Sequence, residues 1–332
     1  MRGNEKTKAG RTKTFFTQSA GRNNRRIGGT TNTFVNIGLD LHQDRSRMRK
    51  LGVKGLQSGP RSFMIAPNDR APGTRTIFLR ILRQDSPEAL PRWERFQVEV
   101  ETGMNLISCL QRVAANPVTV EGDGSTPVVF DCGCLEEVCG SCTMVINGKV
   151  RQSCTALVDE YAPREGDEIV LEPMSKFPVV RDLMVDRERL FHNLKRVKAW
   201  VPIDGTYDLG AGPIDTPDHQ QMRYTMATCM SCGCCLEACP QFNKEESPAD
   251  WDDAFLGPHA INQALLFNEH PTGKILQDDR MEEILGVGGV NDCGNAQNCV
   301  KACPKEIPLT ESIARIGRAA TFHGLKRFFS GK

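Results

Sequence analysis

A chain of 332 residues with 14 cysteines and a formal charge of +1 is long enough for two domains. Its cysteines are too clustered, and a signal peptide too plainly lacking, for a secreted disulfide scaffold. No window approaches the roughly 18 consecutive apolar residues of a spanning helix, which excludes a membrane-crossing segment of that kind and leaves membrane attachment to a partner.

Charge is divided along the chain. Residues 1–70 hold 15 Lys/Arg against 4 Asp/Glu, and the remainder 27 against 37. This first stretch lacks a sustained apolar period and reads as a basic, unfolded extension. A solvated tail is the preferred reading. A true start at Met48 or Met64 and an Arg-rich mitochondrial presequence are the alternatives. Arg25-Arg26 makes no twin-arginine signal, because residues 27–32 form no apolar segment. Nucleic acid is not an expected partner, since no aromatic interleaving accompanies the charge.

Order begins near Arg75. Residues 76–83 and 95–100 alternate as strands. A turn at 101–104 leads into a helix over 105–113, with Leu106, Leu110 and Val113 on one face and Cys109 packed as a small core residue. Strand, strand, helix opens a β-grasp fold. Within 128–142, Cys134-x4-Cys139-x2-Cys142 has the plant-type [2Fe–2S] spacing. Gly133 and Gly140 let the backbone approach such a cluster closely. Asn147-Gly148 predicts a hairpin of 143–146 with 149–152, which returns Cys154 to the loop as the fourth thiolate. Cys132 is wrongly spaced and reads as a spare thiol. Glu168–Glu172 is the closing strand.

A linker containing Pro173 and Pro178 follows. Residues 186–201 predict an amphipathic helix with Leu190, Leu194, Val197 and Val201 in phase and Trp200 in the core. Residues 202–220 read as loop. From Met222 onward, helices separate two cysteine runs. One spans 257–268, started by Pro258, with Ile261, Leu265 and Phe267 as its stripe. A shorter one spans 281–287, and a last one runs from 311 to 322, capped by Thr310. The basic, aromatic end at 326–329 is either a frayed terminus or a contact with a membrane partner or headgroups.

The first run, Cys229-x2-Cys232-x2-Cys235-x3-Cys239-Pro240, has the spacing by which bacterial-type ferredoxins hold a cluster. Three thiolates line a tight turn and converge, and the fourth faces a second cluster. The second run, Cys293-x5-Cys299-x3-Cys303-Pro304, carries Ala296 where another cysteine is expected. Zinc sites instead pair two C-x2-C knuckles. A zinc-stabilised nucleic-acid-binding protein is therefore the weakest alternative.

In order and spacing the three motifs resemble the iron–sulfur subunit of succinate dehydrogenase and fumarate reductase, over residues 75–325. The wording of 134–142 and 151–157 resembles the bacterial branch whose anchor carries two haems and uses a low-potential quinone. Residues 1–70 have no counterpart. The resemblance implies an α+β chain, with a β-grasp plant-type ferredoxin domain at 75–175 and an all-α two-cluster ferredoxin domain at 185–325. It implies a [2Fe–2S] cluster on Cys134, Cys139, Cys142 and Cys154, and a [4Fe–4S] cluster on Cys229, Cys232, Cys235 and Cys303. Cys239, Cys293 and Cys299 remain for a [3Fe–4S] cluster, because the Ala296 methyl offers no fourth thiolate. Cys109, Cys132 and Cys234 are left over, Cys234 facing the core.

No nucleotide fingerprint, nucleophile elbow or carboxylate pair suggests a substrate site in this chain. The resemblance implies electron transfer, one electron at a time, from an FAD flavoprotein oxidising succinate to a quinone at a membrane anchor of the cytochrome b type. Ubiquinone-reducing members often carry tryptophans after the first run's proline and a histidine after the second run's first cysteine. Here those positions read Gln241-Phe242-Asn243-Lys244 and Gly294-Asn295, which favours menaquinone, or a quinone bound mainly by the anchor subunit. The expected location is the cytoplasmic face of a bacterial inner membrane, with the matrix side of the mitochondrial inner membrane as alternative. A fumarate reductase subunit, or a relay subunit of another flavoprotein dehydrogenase, is the competing function.

Overall fold

The structure is a computed structural model that describes residues 73–202, 215–244 and 247–330. The extension read at 1–70 lies outside the described residues, as do 203–214 of the expected loop. β1 (Arg75–Arg83) buries Ile77, Leu79 and Ile81 on one face, the period of a half-buried strand. β2 (Arg92–Val100) pairs with it antiparallel and starts before the predicted strand. α1 (Leu106–Ala115) is capped by Asn105, whose Oδ1 accepts from the Ser108 amide at 2.9 Å. Leu106, Cys109, Leu110 and Val113 are its buried side, packed into the core beside the sheet.

β3 (Thr143–Ile146) and β4 (Lys149–Gln152) form the hairpin expected from Asn147-Gly148, with both turn residues at positive φ, 47° and 75°. A single turn, α2 (Val158–Tyr161), precedes β5 (Glu168–Glu172). The strand order is β2-β1-β5-β3-β4, and the β1–β5 pair is parallel. The expected linker adds a small hairpin, β6 (Val179–Arg181) with β7 (Met184–Val185). At its turn, fully buried Asp182 accepts from fully buried Arg83 at 2.8 and 3.1 Å and from the Val129 amide at 2.9 Å.

α3 (Glu188–Arg196) is shorter than the helix predicted over 186–201. The chain turns at Lys198 (φ 45°), so Val201 leaves the apolar face. Trp200 is 44% exposed rather than core, because its carbonyl and that of Lys198 are held by the buried Arg280 guanidinium, at 3.0 Å each. α4 (Pro217–Ala227) begins inside the expected loop, with Thr216 as cap and Pro217 in the first turn. α5 (Cys234–Glu237) is one turn.

α6 (Gly257–Glu269) starts at the predicted place and is buried along most of its length, although Phe267 is only half-buried. α7 (Gln277–Leu285), α8 (Asn298–Ala302) and α9 (Leu309–Ser330) complete the helical half, in which α6 is packed by α3, α4, α5, α7 and α9. Thr310 lies within α9 rather than capping it, and the chain end at 326–329 is helical rather than frayed. The sheet half and the helical half each enclose their own apolar core. Among the described residues no helix is long and apolar enough to cross a membrane.

Candidate iron–sulfur centres

The loop before β3 turns through left-handed Leu135, Glu137 and Gly140. These turns aim the Glu136, Val138 and Cys139 amides at Cys134 Sγ, at 3.3 to 3.4 Å. Hydrogen bonds from the Cys134 backbone and from Ser141 bring the Cys139 thiol down to about 6. The hairpin places Cys154 against Cys142, where burial pushes the Cys142 thiol up to about 12. Ser153 Oγ and Thr155 Oγ1, on either side of Cys154, are buried without a partner among the described residues. Cys132 is exposed, and Cys109 belongs to the α1 core, where burial raises it to about 11.

In the helical half, left-handed Ser231 and Gly233 fold the first run into a tight turn. Cys229, Cys232 and Cys235 then line a single cavity together with Cys303 of the second run. His259 and Ile307 lie in the same wall. Burial holds the Cys229 and Cys303 thiols up, and the Cys235 thiol well up. The Cys234 thiol hydrogen-bonds Cys232, bringing Cys232 down to about 7 and driving Cys234 up.

Cys239 leaves the first run at the end of α5. The Asn298 amide donates to the Ala238 carbonyl at 3.2 Å, which draws the start of α8 to that end. Burial pushes Cys299 up to about 11, and its sulfur neighbours are Cys239 and Cys293. Ala296 is exposed between left-handed Asn295 and Gln297. The two runs are thus interleaved: each sends one cysteine toward the other's group.

The donor set fits iron–sulfur clusters. Thiols this buried need a cationic centre to become thiolates. The amides converging on Cys134 and the unpartnered hydroxyls beside Cys154 are donors that want an electron-rich sulfur. Among the described residues no three His, Cys, Asp or Glu side chains meet closely enough to share one metal ion. A multi-iron cluster spreads its thiolates wider than a zinc knuckle does.

Gly140 and two residues that the motifs did not single out, Gln152 and Arg187, join the loops. A Cβ added at Gly140 would stand 2.7 Å from Cys232 Cα, so the two cysteine loops touch there. Gln152 Nε2 donates to Cys234 Sγ at 3.2 Å. Arg187, just before α3, donates to the Gly140 and Ser141 carbonyls at 2.7 and 2.5 Å. Alternation along β4 makes Gln152 inward-facing. Arg187 gives no local signal. His259, in the wall of the cavity, was also missed and shows only as an imidazole in an otherwise wholly buried helix start.

Residues 78–192 match the family model of the 2Fe-2S iron-sulfur cluster binding domain, and residues 225–307 that of the 4Fe-4S dicluster domain. The succinate dehydrogenase iron-sulfur subunit of Bacillus subtilis (strain 168) is 49% identical over 255 residues, covering 77% of this chain and 96% of its own. The fumarate reductase iron-sulfur subunit of Wolinella succinogenes is more distant, 27% identical over 248 residues, with 74% and 97% covered. Among solved structures, the Mycobacterium smegmatis Sdh1 complex in the apo form contains a chain of the same fold, with TM-score 0.62 and 22% identity over 75% of this chain and 96% of that one. The chain belongs to the family of succinate dehydrogenase iron–sulfur subunits.

Proposed function

We propose that this chain is the electron relay of a succinate:quinone oxidoreductase, with three clusters on eleven cysteines. Cys134, Cys139, Cys142 and Cys154 hold [2Fe–2S]. Cys229, Cys232, Cys235 and Cys303 hold [4Fe–4S]. Cys239, Cys293 and Cys299 hold [3Fe–4S]. The observation that carries this reading is the cavity lined by three cysteines of the first run and one of the second. That crossing is what two interleaved ferredoxin sites require. The strand order, with α1 packed beside the sheet, supports a β-grasp domain over 75–175, and the separate helical core supports a domain over 185–325.

Bound, the clusters supply one-electron chemistry at potentials set by ligand, hydrogen bonding and burial. The chain's own part is to space and shield them. Gly140 against Cys232 sets how near the first two sites approach. Arg187 fixes the loop carbonyls at that contact. Lys176 donates to the Cys239 and Phe242 carbonyls at 2.9 and 2.6 Å, and Glu237 holds the Ser175 and Lys176 amides at 3.0 Å each, so the linker is pinned over the first run.

The partners of this reading are an FAD flavoprotein and a membrane anchor of the cytochrome b type, at the cytoplasmic face of the membrane. Menaquinone suits it better than ubiquinone. Phe242 is fully buried against Phe177 and under Arg189, and Gln241 Nε2 lies 2.5 Å from where a side chain at Gly294 would begin. Neither stretch presents the tryptophan or histidine seen in many ubiquinone-reducing members.

The test is EPR of the isolated complex, air-oxidised and then reduced in steps, with iron and zinc assayed. The expected result is iron without zinc, a signal from the oxidised three-iron centre, and two further signals on reduction. An intact oxidised complex without the first signal overturns the role given to Ala296. Zinc in place of iron overturns the whole reading.

A further inference from the structure

His259 is 2% exposed and lines the same cavity as Cys229, Cys232, Cys235 and Cys303. Its Nε2 is 2.9 Å from Ser231 Oγ, a hydroxyl that belongs to the cysteine run itself. Its Nδ1 is buried and has no protein partner among the described residues. Two tautomers are available. With the proton on Nε2, Ser231 accepts and Nδ1 is left as a buried lone pair with no donor to satisfy it. With the proton on Nδ1, the Ser231 hydroxyl donates to Nε2 and a buried N–H remains that needs an acceptor. Only the second lets both nitrogens be satisfied once the cavity is filled, because the filling group's exposed atoms are sulfur.

We propose that His259, oriented by Ser231, donates an Nδ1–H hydrogen bond to a sulfur of the group held by Cys229, Cys232, Cys235 and Cys303, and thereby raises its reduction potential. This rests on the relay reading above. The electrostatic sense follows from the charge. Reduction adds an electron to the cluster, and a fixed dipole with its positive end toward sulfur stabilises the reduced form more than the oxidised one. His259 is thus a positioning and tuning residue, not a ligand. The Ser231 contact and its place in the wall of this one cavity tie its effect to the middle site of the three.

The test uses the whole complex with His259→Ala and His259→Asn, titrated electrochemically under EPR. Asparagine places its amide nitrogen where Nδ1 stands and keeps the donor. The four-iron centre of His259→Ala should accept an electron about tenfold less readily, about 59 mV for a one-electron couple. His259→Asn should recover at least half of that shift. The other two centres serve as internal references and should not move. An unchanged potential in His259→Ala with full iron content overturns the proposal, as does an equal shift in His259→Asn. Should the alanine variant fail to assemble, pulsed EPR on the reduced wild-type complex with 15N-histidine decides. Coupling of the four-iron centre to a histidine nitrogen supports the bond, and its absence refutes it. A wild-type complex with no four-iron centre at all would instead sink the relay reading.

Discussion

Gly140→Ala is the substitution on which the contact between the two cysteine loops is most directly tested. Gly140 has φ +71°, where an L side chain costs about 1 to 2 kcal/mol. Its added Cβ would also stand 2.7 Å from both Cα and Cβ of Cys232. Those atoms belong to the tight turn that carries a proposed ligand and cannot swing aside as a side-chain tip would. Overpacking of this kind costs roughly 1 to 3 kcal/mol more.

Gly103→Ala separates the two terms. Gly103 has φ +84° and nothing within 4 Å of the added carbon, so it carries the backbone strain alone. Thermal unfolding of the two holo-complexes at one scan rate should therefore differ by the overlap alone. Gly140→Ala should melt lower by about 2 to 12 °C for about 1 to 3 kcal/mol. Visible absorbance reports cluster loss in the same scan. Equal melting of the two variants would refute the direct loop contact. The functional consequence follows from the same geometry: tunnelling falls steeply with distance, so a methyl wedged between the loops should also slow transfer between the first two centres.

Asp182→Ala should cost about 1 to 3 kcal/mol, since it leaves the Val129 amide unpartnered and takes two acceptor contacts from the fully buried Arg83 guanidinium, which keeps Glu94 at 2.7 Å and Thr126 at 3.1 Å. Asp182→Asn keeps an acceptor and tolerates the left-handed φ of 48°, so it should lose less; a thermal scan showing no cost for the alanine variant would count against the pair as an anchor of the small hairpin. Ala296→Cys should add about one iron per chain, remove the oxidised-state EPR signal and lower that centre's potential. Unchanged iron and signal, with the new thiol shown to be present, would break the ligand set given to the second run.

Local chemistry accounts for what the sequence made legible. The alternation of Ile77, Leu79 and Ile81 and the Asn147-Gly148 turn are each encoded within a few residues, and each appears where it was expected. The errors arise where a local pattern outlasts its local cause. Val197 and Val201 continue the helical period of α3, but the backbone turns left-handed at Lys198, and Arg280, distant in sequence, holds the carbonyls beyond it. Thr216-Pro217 is a cap signal as good as Asn105, yet a preceding Gly- and Pro-rich stretch masked it.

The cysteine runs show the same division inside the functional site. Spacing alone tells which sulfurs leave a turn together; it is silent on what lies across from them. Cys234 is the sharpest case. Adjacent residues on a helical turn point about 100° apart, so when Cys235 faces the cavity Cys234 must face elsewhere. The sequence allowed it only a place in the core. The fold gives that core position a polar partner, Gln152 of β4, and a hydrogen bond back to Cys232. The cysteine that the ligand pattern leaves out is therefore a seam between the sheet half and the helical half, reached by one side chain from the strand that delivers Cys154 and one from the turn that carries Cys232. A motif assigns ligands to clusters, whereas the distance an electron must cross is set by residues such as Gly140, Gln152 and Cys234, whose partners lie dozens of residues away.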